Sequence, residues 1–152
     1  MSITVDPIGY VRGGRKEVAD DNWGEVRSTI ELDERFSPAT LAGLELFSHL
    51  VVIYQFHLVD PEEIDLGPRH PRGNRAWPKV GVFAQRRKAR PNRLGVSVCR
   101  IVKIDERRVE VQGLDAIDGS PVLDLKPYMT GFEPRGDVDE PGWARALMAN
   151  YW

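Results

Sequence analysis

The sequence predicts a mostly β protein: a small barrel with long loops and one C-terminal helix. Three observations carry that reading. Short runs rich in β-branched residues recur along the chain, each bounded by Gly, Pro, Asn or Asp. Two long polar stretches lack any periodicity, as loops do. Helical spacing of apolar residues appears in one place, the last dozen residues. At 152 residues the chain has the length of one domain, residues 1–152, with the barrel spanning about 2–128 and a C-terminal loop and helix over 129–152.

Taken in order, residues 2–12 (Ser-Ile-Thr-Val-Asp-Pro-Ile-Gly-Tyr-Val-Arg) suit an edge or bulged strand, because Pro7 cannot donate to a ladder. Residues 13–26 are polar and Gly-rich, with Trp23 set among acids, and read as a long loop. Residues 26–32 (Val-Arg-Ser-Thr-Ile-Glu-Leu) alternate as a half-buried strand does. Ser37-Pro38 pairs an N-cap with a first-turn proline and starts a short helical turn. Residues 49–59, with Leu50 to Tyr54 nearly all apolar, form the best central strand. A second long loop covers 60–79, and a short apolar strand is expected at 80–84.

The basic turn 85–95 follows, then strands at 95–104 and 107–114 joined through Asp105-Glu106 as a two-residue hairpin turn. Residues 122–125 (Val-Leu-Asp-Leu) are the last strand. Asp139, Glu140 and Pro141 signal a helix start, and Trp143, Leu147 and Tyr151 lie on one helical face, expected to pack on the sheet or on a second subunit.

Composition narrows the class of function. No apolar run approaches the length of a membrane span, and the N-terminus lacks a signal-peptide pattern. Cys99, the single cysteine, forms no internal disulfide and no thiolate cluster, so a cytoplasmic location is expected. His49, His57 and His70 lack zinc-ligand spacing, and no metal is expected. Neither a dinucleotide-binding glycine fingerprint nor a phosphate-binding lysine loop is present. The net charge of −2 conceals a segregation: between Asp65 and Asp105 stand eleven Lys and Arg and no acid, which favours an anionic partner.

Two stretches carry candidate chemistry. The first, Gly113 to Tyr128, sets Asp115, Asp118, Asp124 and Lys126 among apolar residues, with Asp118-Gly119 as a turn signal. It is either a hairpin with solvated acids or a ligand-binding loop. Asp124, Lys126 and Tyr128 read as support behind it, an ion pair and a packed phenol. The second is the turn with Arg86, Arg87, Lys88, Arg90 and Arg93 around Pro91-Asn92. It is either a solvated charged loop or a rigid frame aiming guanidinium groups at carboxylates or phosphates.

The ordered motifs Gly-Leu-Glu-Leu-Phe-Ser-His-Leu (43–50), Phe-His (56–57), Arg-His-Pro-Arg-Gly-Asn (69–74), Val-Gly-Val-Phe-Ala-Gln-Arg (80–86), Arg-Pro-Asn-Arg-Leu-Gly (90–95) and the 113–128 stretch resemble the TsaA/TrmO-like family over about residues 5–130. That resemblance implies a YaeB-like β-barrel methyltransferase dependent on S-adenosyl-L-methionine. It further implies a homodimer with the cofactor near the subunit interface, and methylation of the exocyclic nitrogen of threonylcarbamoyl-adenosine in tRNA.

By the same resemblance the cofactor pocket draws on Asn22, Trp23, Gly24, Phe56, His57, Arg86, Leu94, Leu114, Asp115, Ala116, Ile117 and Asp118. Arg86 suits the cofactor's carboxylate. Asp115, Asp118 or Phe56 suits its sulfonium. His57 and Asp118 are the candidate catalytic bases. Two departures weigh on the acceptor. The loop Asp20-Asp21-Asn22-Trp23-Gly24 carries acids where tRNA-acting members carry an arginine, and Arg93-Leu94 replaces a Pro-Ile pair. A small-molecule acceptor, or a non-catalytic cofactor- or RNA-binding module, are the alternatives.

Overall fold

The computed structural model describes residues 1–152. Six antiparallel strands close into a barrel: β1 (Gly9–Arg12), β2 (Arg27–Leu32), β3 (His49–Gln55), β4 (Leu94–Asp105), β5 (Arg108–Gln112) and β6 (Pro121–Pro127). Around the barrel the order is β1-β2-β5-β4-β3-β6, with β6 pairing back to β1. Side chains alternate inward and outward as the pleat requires, except across register shifts at Ile53/Tyr54 and Ile101/Lys103. Val11, Ile30, Leu50, Val52, Val109, Val111 and Val122 are fully buried and fill the interior, together with Tyr54 and Cys99. Burial pushes the Cys99 thiol up to about 12, with Asp115's charge a smaller cause, so it is an inert apolar filler. The short turn Pro38–Leu41, capped by Ser37, lowers Leu41 into the cluster.

The expected elements hold with several corrections, the first in the expected strand 2–12, of which only Gly9–Arg12 is strand. Val80–Ala84 is not a strand. Val80 makes one bridge to Arg69, and Val82–Ala84 is a 3-10 turn. Buried Gln85 explains this, since its amide donates to the Arg69 and Val80 carbonyls and substitutes for a neighbouring strand. The β4–β5 turn is Glu106-Arg107, one residue later than expected, because Asp105 pairs with Arg108. Without a glycine there, Glu106 itself adopts φ 53°.

Residues 113–120 do not form a hairpin. β5 pairs with β2 and β4 while β6 pairs with β1 and β3, so the stretch crosses one end of the barrel. Finally, Tyr128 lies at the opposite end from Asp115, where it donates to Glu133, whereas Asp124 and Lys126 do form an ion pair at 2.7 Å on the barrel's outside.

The C-terminal helix α1 (Gly142–Met148) starts at Pro141 as expected. It is too short to include Tyr151. Trp143 packs against Trp77, ring centroids 6.5 Å apart, and residues 150 and 151 bond to the backbone of the 13–26 loop. No helix is long and apolar enough to cross a membrane.

Candidate functional site

Strand direction decides where the loops gather. β1 and β5 end, and β2, β4 and β6 begin, at the end of the barrel where β3 finishes in Tyr54-Gln55. The three long connections, 13–26, 56–93 and 113–120, therefore emerge together. Backbone bonds join them: Asp118 N–H donates to the Arg15 carbonyl (2.7 Å), Gly119 N–H to Val11 (2.7 Å), Gly113 N–H to Val26 (2.9 Å) and Phe56 N–H to Arg93 (2.8 Å). Gly119 takes φ +83°, the conformation its turn signal anticipated.

Under these loops lies a narrow, partly open cavity of about 30 Å³. Val18, Ala19, Leu58, Val59 and Ile117 supply aliphatic walls, and Trp23, Tyr54 and Phe56 supply aromatic ones. Trp23 is 1% exposed. Its indole N–H donates to the Ala19 carbonyl (3.3 Å), and the Arg15 guanidinium stacks 4.5 Å from its ring centre. Polar groups are few: His57, Lys88, Ser120 and Asp115.

Asp115 is the most constrained of them. The Tyr54 hydroxyl donates to its Oδ1 (2.9 Å) and to its backbone carbonyl (3.1 Å), while the Tyr151 hydroxyl donates to Oδ2. Burial first, and then the charge of Asp115, push both phenols well above their ordinary range, so both remain protonated donors. Tyr54 can enter the barrel because its cross-strand partner is Gly95. A Cβ on Gly95 would lie 2.6 Å from Cζ of the Tyr54 ring and 2.9 Å from that of Phe56.

His57 stands beside the crossing loop. Burial lowers its pKa against the opposing pull of Asp118, so the imidazole is neutral at pH 7. Its buried Nδ1 has no partner of good hydrogen-bond geometry, although the Gln55 backbone interacts with the ring closely enough to oppose the lowering. Lys88 is also lowered, chiefly by burial. It approaches Asp20 at 3.9 Å, while Arg72 holds Asp21 through two bonds of 2.9 and 3.2 Å. The acidic loop is thus neutralised by cations of the basic segment.

Of the residues expected in the site, Trp23, Phe56, His57, Asp115, Ala116 and Ile117 line the cavity. The others lie around it. Asn22 and Gly24 contribute backbone in the flanking loop. Leu114 is buried in the core, and Leu94 is 41% exposed on the barrel's outer face. The Asp118 carboxylate accepts from Gly13 N–H (2.8 Å), and the Arg86 guanidinium donates to the Val96 carbonyl (3.0 Å). Arg86 still acts on the site through its charge, which opposes the rise at both Tyr54 and Tyr151.

Tyr54, Lys88 and Tyr151 were not among the expected residues. An inward tyrosine needs a partner for its hydroxyl, and that signal was available in the sequence. Nothing in the sequence pointed Tyr151 at Asp115. No cluster of three or more His, Cys, Asp or Glu side chains is placed to hold a metal ion.

Residues 20–133 match the tRNA-methyltransferase O N-terminal domain. A Methanothermobacter thermautotrophicus protein named as a probable S-adenosyl-L-methionine-binding protein is 36% identical over 140 residues, covering 90% of this chain and 97% of its own. A human protein named tRNA (adenine(37)-N6)-methyltransferase is 36% identical over 102 residues, 67% of this chain and 23% of its own. The crystal structure of TrmO from Pseudomonas aeruginosa superposes with a TM-score of 0.73 at 32% identity, covering 91% of this chain and 62% of that one. The chain thus spans less than two thirds of the TrmO chain it matches. With a barrel fold shared with a solved relative and a matching segment that contains two of the three mouth loops entire and half of the first, the chain belongs to the TsaA/TrmO-like family, by its tRNA-methyltransferase O N-terminal domain.

Proposed function

We propose that the chain is an S-adenosyl-L-methionine-dependent methyltransferase whose cofactor occupies the barrel mouth and whose acceptor is the exocyclic nitrogen of threonylcarbamoyl-adenosine in tRNA. One observation carries the reading: an apolar, aromatic-walled cavity with a single firmly held carboxylate, in a chain of this family. The residues fit such a ligand. Aliphatic and aromatic walls suit a nucleoside, Asp115 suits hydroxyl or cationic groups, and His57 Nδ1, without a partner of good geometry, has hydrogen-bonding capacity to spare. The bound cofactor would supply an electrophilic methyl group on a sulfonium.

The protein's own part is mainly positioning, because methyl transfer depends on alignment. Trp23 and Phe56 exclude water, and Asp115 offers a fixed negative charge. Arg86 is exposed beside the mouth and uses one donor on Val96, leaving others for a carboxylate. His57, neutral at pH 7, is the group suited to accept a proton from the acceptor nitrogen.

The basic segment supports a tRNA acceptor, and a tRNA acceptor together with one unpaired thiol fits a cytoplasmic enzyme. The pairing of Asp20 and Asp21 with Lys88 and Arg72 favours a second reading, a smaller acceptor, because it withdraws two cations from phosphate binding. Incubation with labelled cofactor and tRNA, with and without threonylcarbamoylation, separates the two. Label is expected in the threonylcarbamoylated tRNA alone. Label in neither tRNA moves the acceptor to another class, and salt-sensitive tRNA binding without transfer points to a non-catalytic module.

A homodimer belongs to the same proposal. On the outer face of β4, Leu94, Val96 and Val98 project side by side and are 41, 46 and 44% exposed. An apolar sheet face of this kind suits a second copy of the chain. Arg86, bonded to Val96, would then stand at the boundary between subunits. Val96→Glu with Val98→Glu is expected to convert a dimer into a folded monomer by light scattering. An unchanged mass would place the interface elsewhere.

A further inference from the structure

We infer that Tyr151 is a positioning residue of the barrel mouth, fixing the Asp115 carboxylate from one side while its own backbone ties down the loop that carries Trp23. The inference rests on the reading of the mouth as the cofactor site. It goes beyond the family match, which ends at residue 133.

The C-terminal segment is fastened to the mouth by backbone. Asn22 N–H donates to the Asn150 carbonyl (2.9 Å) and Trp23 N–H to the Tyr151 carbonyl (2.8 Å). So close a pairing requires Gly24, where a Cβ would lie 2.8 Å from the Trp152 carbonyl carbon. Trp152 meets the Tyr151 ring edge-on, centroids 4.8 Å apart, and restricts its direction. The strand-borne Tyr54 takes Oδ1 of Asp115 and Tyr151 takes Oδ2.

The consequence is geometric. A carboxylate held at one oxygen still turns about its broad terminal torsion, whereas one held at both oxygens by two anchored phenols does not. A ligand group meeting Asp115 therefore meets an acceptor whose ordering cost was met on folding. Trp23, whose amide bonds to the Tyr151 carbonyl, is part of the cavity wall, so one short segment sets both the charged and the aromatic side of the site. Burial and the neighbouring Asp115 keep the Tyr151 hydroxyl protonated, a donor at any physiological pH.

Tyr151→Phe removes one oxygen and keeps the ring and the backbone pairing. In calorimetry with S-adenosyl-L-methionine it is expected to weaken binding about tenfold, the scale of one hydrogen bond to a charged group. In an Asp115→Ala background the same substitution is expected to leave affinity unchanged and to raise thermal stability, since the hydroxyl it removes has lost its acceptor. Hydrogen exchange in the ligand-free protein separates the hydroxyl from the backbone tie: the Asn22 and Trp23 amides should stay protected in Tyr151→Phe and exchange faster in Gly24→Ala. Wild-type affinity in Tyr151→Phe, tighter binding, or an undiminished effect in the Asp115→Ala background overturns the inference while leaving the cofactor reading intact. Absence of binding by the wild-type protein overturns that reading itself, and this inference with it.

Discussion

Asp115→Ala is expected to reduce affinity for S-adenosyl-L-methionine by about 100-fold or more while the barrel remains folded. The size follows from what the substitution removes. Asp115 is the carboxylate lining the cavity, it is held by Tyr54 and Tyr151, and the walls around it are mostly apolar. Charge contacts gain strength where water is excluded, so two orders of magnitude, roughly 2.7 kcal/mol, is a modest expectation for losing one. Stability should fall as well, because two largely buried phenols lose an acceptor at a cost of about 1–3 kcal/mol each when unsatisfied. Calorimetry and thermal unfolding measure the two effects separately. Unchanged affinity would remove Asp115 from the site, and the proposed role of the mouth would need another anchor.

Gly95→Ala is expected to produce the largest loss of stability from a single methyl group. The added carbon would fall 2.6 and 2.8 Å from two atoms of the Tyr54 ring and 2.9 Å from Phe56. Those rings are stiff and already pack edge-to-face, centroids 5.3 Å apart. Tyr54 is 2% exposed and its hydroxyl is held on Asp115, so the ring cannot shift without breaking that bond, and overpacking of this kind costs about 1–3 kcal/mol. For a domain of this size that corresponds to a fall in melting temperature of about 3–10 °C. Cofactor affinity should drop with it, because any shift of Tyr54 withdraws its hydroxyl from Asp115. A melting temperature within a degree of wild type would mean that the ring moves aside without cost, and that the close approach places no demand on position 95.

Local pattern made much of the barrel legible. The alternation of residues 26–32 matches β2, with Ile30 and Leu32 buried, and Ser37-Pro38 and Glu140-Pro141 marked the two turn and helix starts. Strand order was not legible, because pairing of β5 with β2 and of β6 with β1 joins residues far apart in sequence. For that reason a hairpin stayed open beside a ligand-binding loop for 113–120, although the stretch crosses the barrel end.

Val80–Ala84 had strand-like composition, and a tertiary contact, the buried Gln85 amide, overrode it. The site was half legible. Trp23, Phe56, His57 and Asp115 to Ile117 converge as the family resemblance implied, although their convergence depends on loops separated by 30 to 60 residues. Tyr151 was hidden because its helical spacing with Trp143 and Leu147 suggested a packing stripe, and α1 stops three residues short of it.

The closure of β1 onto β6 has a kinetic meaning. Gly9 pairs with Val122, so that step joins residues more than a hundred positions apart, the kind of contact that loop-closure entropy delays in folding. The mouth cannot precede it. Val11 receives the Gly119 amide, and Gly13 donates to Asp118, directly beside the closing pair. Competence to hold a ligand is therefore acquired late and all at once, and a fragment lacking either end of the chain forfeits the site even where several strands still pair.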